Sequence, residues 1–515
     1  MADRVLELLR QRPGLAQQAA FPFDFDLGRA EHGEDVLLAS GAALEPVAGD
    51  DTGGTFFVCA GGPVLYASSE GEAGLLGDTV SDALEIVVGL PAWRDLVHPA
   101  AGPALARELE DDMRSSYAPD LDDRRKRLRA ELGLPERSCA ELLARLHTAL
   151  SRTDPDHVLL NAHELSAYEL LGTLPRTPLW DVVLAPGRAA LGRLRSGGTD
   201  ARDSVATDPV LRAGVLRAAQ YDRRETDLPL LRFLLRCETA AADGELFRER
   251  WLAAVLVGLH GREEDVPLIR EARGGALRDE EAAKPAAWAA AEDAAHHGQD
   301  PATEDEFIWT GLARRQGRTE LARAALIRML DDTGPDAKRL TSLAREFEAL
   351  GDHAQAARSQ RNVVALQDTA WDRAVTGSVL ARLERRTGDL NAAWRTLGRV
   401  RTAIGLDGPV SRPGDRQLAL DLGPASEPPA PDACAAQWHR RGLGRVITEQ
   451  HLELVLAAIE AGRPELAREA MSHGKVLLRT IDKQFRRSLG ELPAQAKWAV
   501  AALPNDAGPA QAGTG

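Results

Sequence analysis

Six arginines carry the side-chain chemistry that stands out in this chain. Arg314, Arg315, Arg345, Arg382, Arg385 and Arg386 lie shortly before the glycines at 317, 351 and 388. A guanidinium offers a planar fork of donors that matches a carboxylate, so the ligand class predicted for this set is an acidic peptide or the free C-terminus of a protein. The plainer reading is a set of solvated arginines, because Arg is frequent throughout the chain and an exposed ion pair contributes only about 0 to 1 kcal/mol. Apolar help from Phe307, Trp309 or Leu340 would be needed to reach the roughly 8 kcal/mol of micromolar binding.

The other reactive residue types lack partners at useful spacing. Asp24 and Asp26 bracket Phe25, and Asp50 and Asp51 precede Gly53; turn chemistry explains both pairs, since Asp side chains accept hydrogen bonds from nearby backbone amides. An enzyme assembled from scattered residues such as His32, Asp50 and Asp51 is an alternative of a different class, and a structural subunit of a larger assembly is another. His473-Gly474-Lys475 has neither the preceding glycine nor the following hydroxyl of a phosphate loop, and Gly442-Leu443-Gly444 lacks a third glycine and a preceding strand. His163-Glu164 and His296-His297 lack further ligands at metal-binding spacing. The expectation is therefore a binding protein with no enzymatic activity, no cofactor and no metal.

Composition narrows the partner. At 515 residues, 44% hydrophobic and 27% charged, the chain is expected to fold into several units. Only 4% of its residues are aromatic, and its Ala, Leu, Arg and Glu favour helix. A net charge of -15 argues against nucleic acid, whose binding draws on clustered Lys and Arg. Cys59, Cys139, Cys237 and Cys434 are far apart, which fits buried reduced thiols better than a disulfide framework. The start of the chain lacks an apolar signal core, and the uncharged run from Thr52 to Ser69 is broken by Gly53, Gly54, Gly61, Gly62 and Pro63. A cytoplasmic protein without membrane spans is expected; its oligomeric state is left open.

The elements that must position these residues divide into two textures. Residues 1–115 are Gly-rich and hold most of the strand-like runs: Val36-Leu37-Leu38, Leu44-Glu45-Pro46-Val47, and a hairpin from Thr55-Phe56-Phe57-Val58-Cys59 to Val64-Leu65-Tyr66. A helix follows, with Ser81 as its expected N-cap and Gly89 and Pro91 as its stop. The stretch Leu44 to Phe57, with Val64-Leu65-Tyr66 and Ser81-Asp82-Ala83-Leu84, resembles the SUKH superfamily. That resemblance implies a non-enzymatic binding domain of the kind found in bacterial immunity proteins that neutralise toxins. The family's N-terminal Leu-Pro and Tyr-rich helix has only Phe21-Pro22-Phe23 as a counterpart.

The remainder reads as helical. Asp122 to Arg127 is a solvated charge run. Asp227-Leu228-Pro229-Leu230-Leu231-Arg232 echoes as Asp265-Val266-Pro267-Leu268-Ile269-Arg270, 38 residues later, which suggests HEAT-like helix pairs with Asp as cap and Pro in the first turn. Gly317, Gly351, Gly388 and Gly462 each precede an alanine by five residues (Ala322, Ala356, Ala393, Ala467), and the first two glycines are 34 apart. Glycine can turn a chain out of one helix, and a small alanine lets the next helix approach closely. These copies resemble tetratricopeptide repeats. The resemblance implies that the first helix of each copy lines a concave face, with the six arginines at or beside that groove.

The expected architecture is mainly α: an α-helical repeat solenoid behind a small N-terminal α/β domain of antiparallel sheet plus helices. Its parts are a SUKH-like domain at 1–115, helical pairs at 116–300, tetratricopeptide-like repeats at 301–404, a Pro/Gly-rich insertion at 405–440, a helical repeat at 441–503 and a disordered tail at 504–515.

Overall fold

The computed structural model describes residues 4–172, 174–241, 247–275, 277–296, 300–405, 438 and 440–504. Their contacts divide the chain into one unit up to Arg328 and a second from Met329. The architecture is mainly α with a small N-terminal α/β part.

The first unit begins with helices α1 (Arg4–Gln11) and α2 (Pro13–Ala20). Strands β1 (Val36–Leu38), β2 (Leu44–Gly49), β3 (Thr55–Cys59), β4 (Val64–Ala67) and β5 (Glu72–Gly77) follow. Helices α3 (Val80–Gly89), α4 (Pro103–Ser116), α5 (Leu121–Leu132) and α6 (Cys139–Ser151) precede the short strands β6 (Leu159–Asn161) and β7 (Glu169–Leu170). The main sheet has the order β2-β3-β4-β5-β7, antiparallel except for the β5-β7 pair, and β1 pairs with β6 as a separate ribbon.

Both faces of the main sheet are buried. Phe56, Val64 and Tyr66 face a core shared with the helices, whereas Phe57, Leu65 and Ala67 pack with Leu38 and Leu159 of the ribbon. This double burial is why the run from Thr52 to Ser69 is uncharged rather than alternating. The α/β part also extends past residue 115, because Leu121, Leu128, Leu142, Leu146 and Leu171 share the core of Phe56 and Val87.

Two local features differ from the sequence reading. The cap of α3 is Thr79, whose hydroxyl accepts from the Asp82 amide at 3.1 Å, so the helix starts before Ser81. Strand β5 was not legible in Glu72-Ala-Gly-Leu-Leu-Gly77, since glycine is depleted in strands. Its Gly74 is needed for close approach: a Cβ there would lie 2.5 Å from Leu150 and 2.9 Å from Leu171.

The first unit continues with α7 (Leu179–Arg195), α8 (Thr199–Thr207), α9 (Pro209–Tyr221), α10 (Leu228–Ala240), α11 (Phe247–Gly258), α12 (Val266–Ala272), α13 (Asp279–Ala282) and α14 (Pro285–His296). The echoed motifs do begin two helices, α10 and α12, each with proline in the first turn. Their aspartates do not accept from those helices' amides. Asp227 is instead clasped by Arg195 at 3.1 and 2.6 Å, and Asp265 by Arg232 at 2.6 and 2.9 Å. Each buried aspartate thus ties its helix start to an earlier helix, and Arg232, itself part of the first motif, serves the second.

Helices α15 (Glu306–Arg315) and α16 (Thr319–Asp331) form the first glycine-turned pair. The second unit contains α17 (Ala337–Ala349), α18 (His353–Ala365), α19 (Ala370–Arg386), α20 (Leu390–Ala403), α21 (Leu443–Glu460), α22 (Pro464–Thr480), α23 (Lys483–Ser488) and α24 (Leu492–Ala501). Helices α17 and α18, α19 and α20, and α21 and α22 pack as hairpins, and α24 packs on α21 and α22. Gly317, Gly351, Gly388 and Gly462 all have left-handed φ, at 74°, 77°, 85° and 67°.

At three of the four turns the next amide reaches five residues back: Arg318 to Ala313, Asp352 to Phe347 and Arg463 to Ala458, at 2.7 to 3.0 Å. These bonds satisfy carbonyls that the helix end leaves without partners. Ala322, Ala356, Ala393 and Ala467 are all buried in the helices that follow. The third and fourth hairpins share one core, from Ala374 and Leu397 to Leu454 and Met471. Of the stretches expected as insertion and tail, only residues 405, 438, 440 and 504 are among those described.

Because Gly351 combines a left-handed φ with open space around its Cα, a β-branched side chain there meets backbone strain rather than a clash. Gly351→Val should lower the unfolding free energy by about 1–2 kcal/mol in urea titrations. Gly334→Ala, also in open space, should stay within about 0.5 kcal/mol of the parent.

Candidate functional site

The second unit brings three arginines onto two carboxylates. Arg382 forks onto Glu348 of α17, with Nη2 at 3.0 Å from Oε2 and Nη1 on Oε1, and Arg386 reaches the same Oε1 at 2.6 Å. Arg385 donates to Glu453 of α21 at 2.8 Å. The first helices of three of the described hairpins are thereby tied together across 34 and 68 residues of sequence. The Arg382 hydrogen bond holds the Glu348 carboxyl below its usual range. Arg345 lies three residues before Glu348, hence on the same helical face; it is exposed and has no ion pair among the described residues.

The two remaining arginines belong to the first unit. Arg315 is half-buried and donates at 2.8 Å to Glu249, which is itself buried and also faces Arg217 at 3.9 Å. Arg314 is half-buried as well. The glutamates that receive the arginines were not identified from sequence. No local signal marks them, because each pairing spans tens of residues.

A second cluster forms around Arg94, just beyond α3. Its guanidinium contacts Asp50, lies 2.9 Å from Asp24, and has Asp51 at 3.8 Å. Asp50 is fully buried and also accepts from the Tyr66 hydroxyl at 2.6 Å, the Thr52 amide and hydroxyl at 2.9 Å, and the Gly54 amide at 2.8 Å. Burial pushes the Asp50 carboxyl upward, but Tyr66, Arg94 and the turn donors outweigh it and hold the group below its ordinary value. The turn chemistry read from sequence is therefore present at Asp50, as it is at Asp26, which accepts from the Gly28 amide at 2.8 Å.

Asp24 differs: it adopts a left-handed φ of 53° between the buried Phe23 and Phe25, and burial raises its carboxyl against the pull of Arg94. Beside this cluster two aromatic rings are exposed. Phe21 is 44% and Tyr117 is 55% accessible, and their centroids are 6.1 Å apart. Arg124 lies 5.5 Å from the Phe21 ring, with its own charge taken by Asp120 at 2.7 Å.

His32 is not bonded to Asp50 or Asp51. Its Nδ1 is 3.1 Å from the Thr55 hydroxyl and its Nε2 2.9 Å from the Tyr168 hydroxyl, which also contacts Glu34. Because Thr55 donates to the Glu31 carbonyl at 3.2 Å, its oxygen accepts from His32. This chain fastens residues 31–34 to β3 and to the segment before β7.

Several of the remaining candidates have structural partners. His163 is exposed and 3.5 Å from Asp35. His297 and the His296 side chain lie outside the described residues, as does Cys434; Cys59 is buried, while Cys139 and Cys237 are half-buried. Gly442 has a left-handed φ, and Gly444 seats the ring of Trp438, which a Cβ would approach to 2.0 Å. His473 stacks edge-on with Trp394 at 5.3 Å. Buried His451 donates from Nδ1 to the Ile447 carbonyl at 2.7 Å and accepts at Nε2 from Arg401 at 2.8 Å. No group of metal-ligating residues occurs among the described residues, and no helix there is long and apolar enough to cross a membrane.

Comparison with family models, with curated proteins and with solved structures finds no match to this chain.

Removing the buried Asp50 charge leaves Tyr66 without its carboxylate acceptor and Arg94 with Asp24 as its remaining close partner. Asp50→Asn should cost about 1–3 kcal/mol in denaturant titrations at neutral pH. The parent should lose this stabilisation as pH falls below about 4, through the depressed value of Asp50, and the variant should show a shallower fall. His451 sets a second pH window. Burial, then Arg401, depress its imidazole to about 3, against about 6.5 in an unfolded chain. Its contribution is complete above about 6.5 and declines toward 3, so His451→Gln should flatten the dependence of the urea midpoint between about pH 7 and 5.

Proposed function

We propose that this chain acts by binding proteins rather than by catalysis, and that the face formed by α17 and α19 holds an acidic segment of a protein partner. One observation carries the reading: Arg382 and Arg386 share the single carboxylate of Glu348 while Arg345 stands exposed on the same face. Arg382 and Arg386 on Glu348 and Arg385 on Glu453 set three guanidiniums against two carboxylates, and the exposed Arg345 adds to the positive excess. A carboxylate from a partner side chain or C-terminus can complete it with charge-assisted, forked hydrogen bonds.

Two resemblances support this reading. In tetratricopeptide-like hairpins the first helix of each pair faces the ligand groove, and α17 and α19 are first helices. The SUKH-like stretch adds a second binding domain, in line with an adaptor or a bacterial immunity or regulatory factor working in the cytoplasm. The acidic character of the chain as a whole keeps this basic face distinct from a nucleic-acid surface.

The test is fluorescence anisotropy of the full chain against labelled peptides of one length that differ in Asp and Glu content and in a free or amidated C-terminus. Acidic peptides with a free C-terminus should bind best, and Arg345→Glu, at an exposed position, should weaken them by about tenfold, the effect of losing roughly 1.4 kcal/mol. Equal affinity for acidic and neutral peptides, or no change in Arg345→Glu, would overturn the assignment.

A further inference from the structure

We propose that the exposed Phe21 and Tyr117 rings, with Asp24, Asp51 and Asp95, form a docking surface for a basic protein segment that presents a Lys or Arg side chain.

Arg94 is the guanidinium within reach of Asp24, Asp50 and Asp51, and the fully buried Asp50 has first claim on it. Asp24 keeps a partial share, and Asp51, 64% accessible and 3.8 Å away, is barely neutralised. Asp95, next to Arg94 in sequence, is exposed and has no side-chain partner among the described residues. The cluster thus holds more carboxylates than cations, and its field reaches the aromatic pair: after burial, Asp24 and Asp51 push the Tyr117 hydroxyl upward, Arg94 pulls it back and Asp95 adds to the rise, while Arg124 beside the Phe21 ring is paired with Asp120.

In an α/β domain that buries Phe23, Phe25, Phe56, Phe57, Tyr66 and Trp93, two neighbouring aromatics left open are the exception. The Tyr117 hydroxyl has no hydrogen-bond partner among the described residues. Exposed aromatics are the residue type that anchors protein interfaces, and an aromatic face beside carboxylates attracts an ammonium or guanidinium group through both ring quadrupole and charge.

The backbone is also strained at this place. Asp24 is a non-glycine residue with φ of 53° that sits between two buried phenylalanines. Such conformations concentrate at functional sites. The long-range field agrees, since a chain of charge -15 steers cationic partners toward it.

The experiment uses the full chain and a fluorescein-labelled decapeptide of alternating Arg and Gly, with a Glu and Gly counterpart as control. Affinity by anisotropy should favour the Arg peptide, fall with added salt, and drop by about tenfold in Tyr117→Ser and by about threefold in Asp51→Asn. Both positions are exposed; circular dichroism checks that each variant is folded, and Asp51→Asn keeps the test open if Tyr117→Ser is not.

Arg-peptide binding that is unchanged in both folded variants would overturn the proposal, because the peptide would then be reading overall charge. A change of oligomeric state in Tyr117→Ser without a change in peptide affinity would overturn it in favour of a second copy of this chain. Arg345→Glu serves as the control for the other surface: it should leave Arg-peptide binding unchanged, so failure at one surface is distinguishable from failure at the other.

Discussion

Pairing of arginine with carboxylates between distant elements is the interaction on which this structure depends. The helices meet largely through alanine and leucine, which bury area but distinguish poorly between one helix position and the next. A buried guanidinium is different, because it must meet its acceptors in a defined geometry or remain desolvated without compensation. Arg212 illustrates the point: it is buried with Glu238 at 2.6 Å and also donates to the Val205 and Ala206 carbonyls at the end of α8. Arg195, Arg232 and Arg315 make comparable ties within the first unit, and Arg382, Arg385 and Arg386 within the second.

The same chemistry separates structural from available charge. Where one arginine meets one carboxylate in the interior, as at Arg212 and Glu238, nothing is left to offer a ligand. Where the numbers are unequal near the surface, an excess remains. Around Glu348 the excess is cationic, and around Arg94 it is anionic. The two proposed surfaces rest on these imbalances, one in each unit, and would select partners of opposite charge.

The legibility of the fold followed the range of the interactions. The hairpins of the second unit could be read because each glycine and its alanine are five residues apart, and a left-handed turn followed by a close helix contact is a local requirement. The hairpin of β3 and β4 could be read for the same reason. The fifth strand of the sheet, Glu169–Leu170, could not: its pairing with β5 joins segments nearly a hundred residues apart, and its two residues carry no pattern. The repeated Asp-x-Pro motif was visible as a repeat, but its role was not. Its aspartates face arginines of earlier helices rather than the amides of their own, and no local rule distinguishes the two.

Sequence by itself determined the helical class, the glycine turns, the Asp50 turn and the type of side chain available for binding, because propensity, left-handed φ and charge are properties of residues and their near neighbours. Tertiary structure alone decided which arginines are consumed. Arg315 is spent on Glu249 and Arg385 on Glu453, Arg345 is left exposed, and Phe21 and Tyr117 are left open beside a carboxylate excess. The physical reason is that neutralisation and burial depend on partners brought together only when the chain closes over long separations.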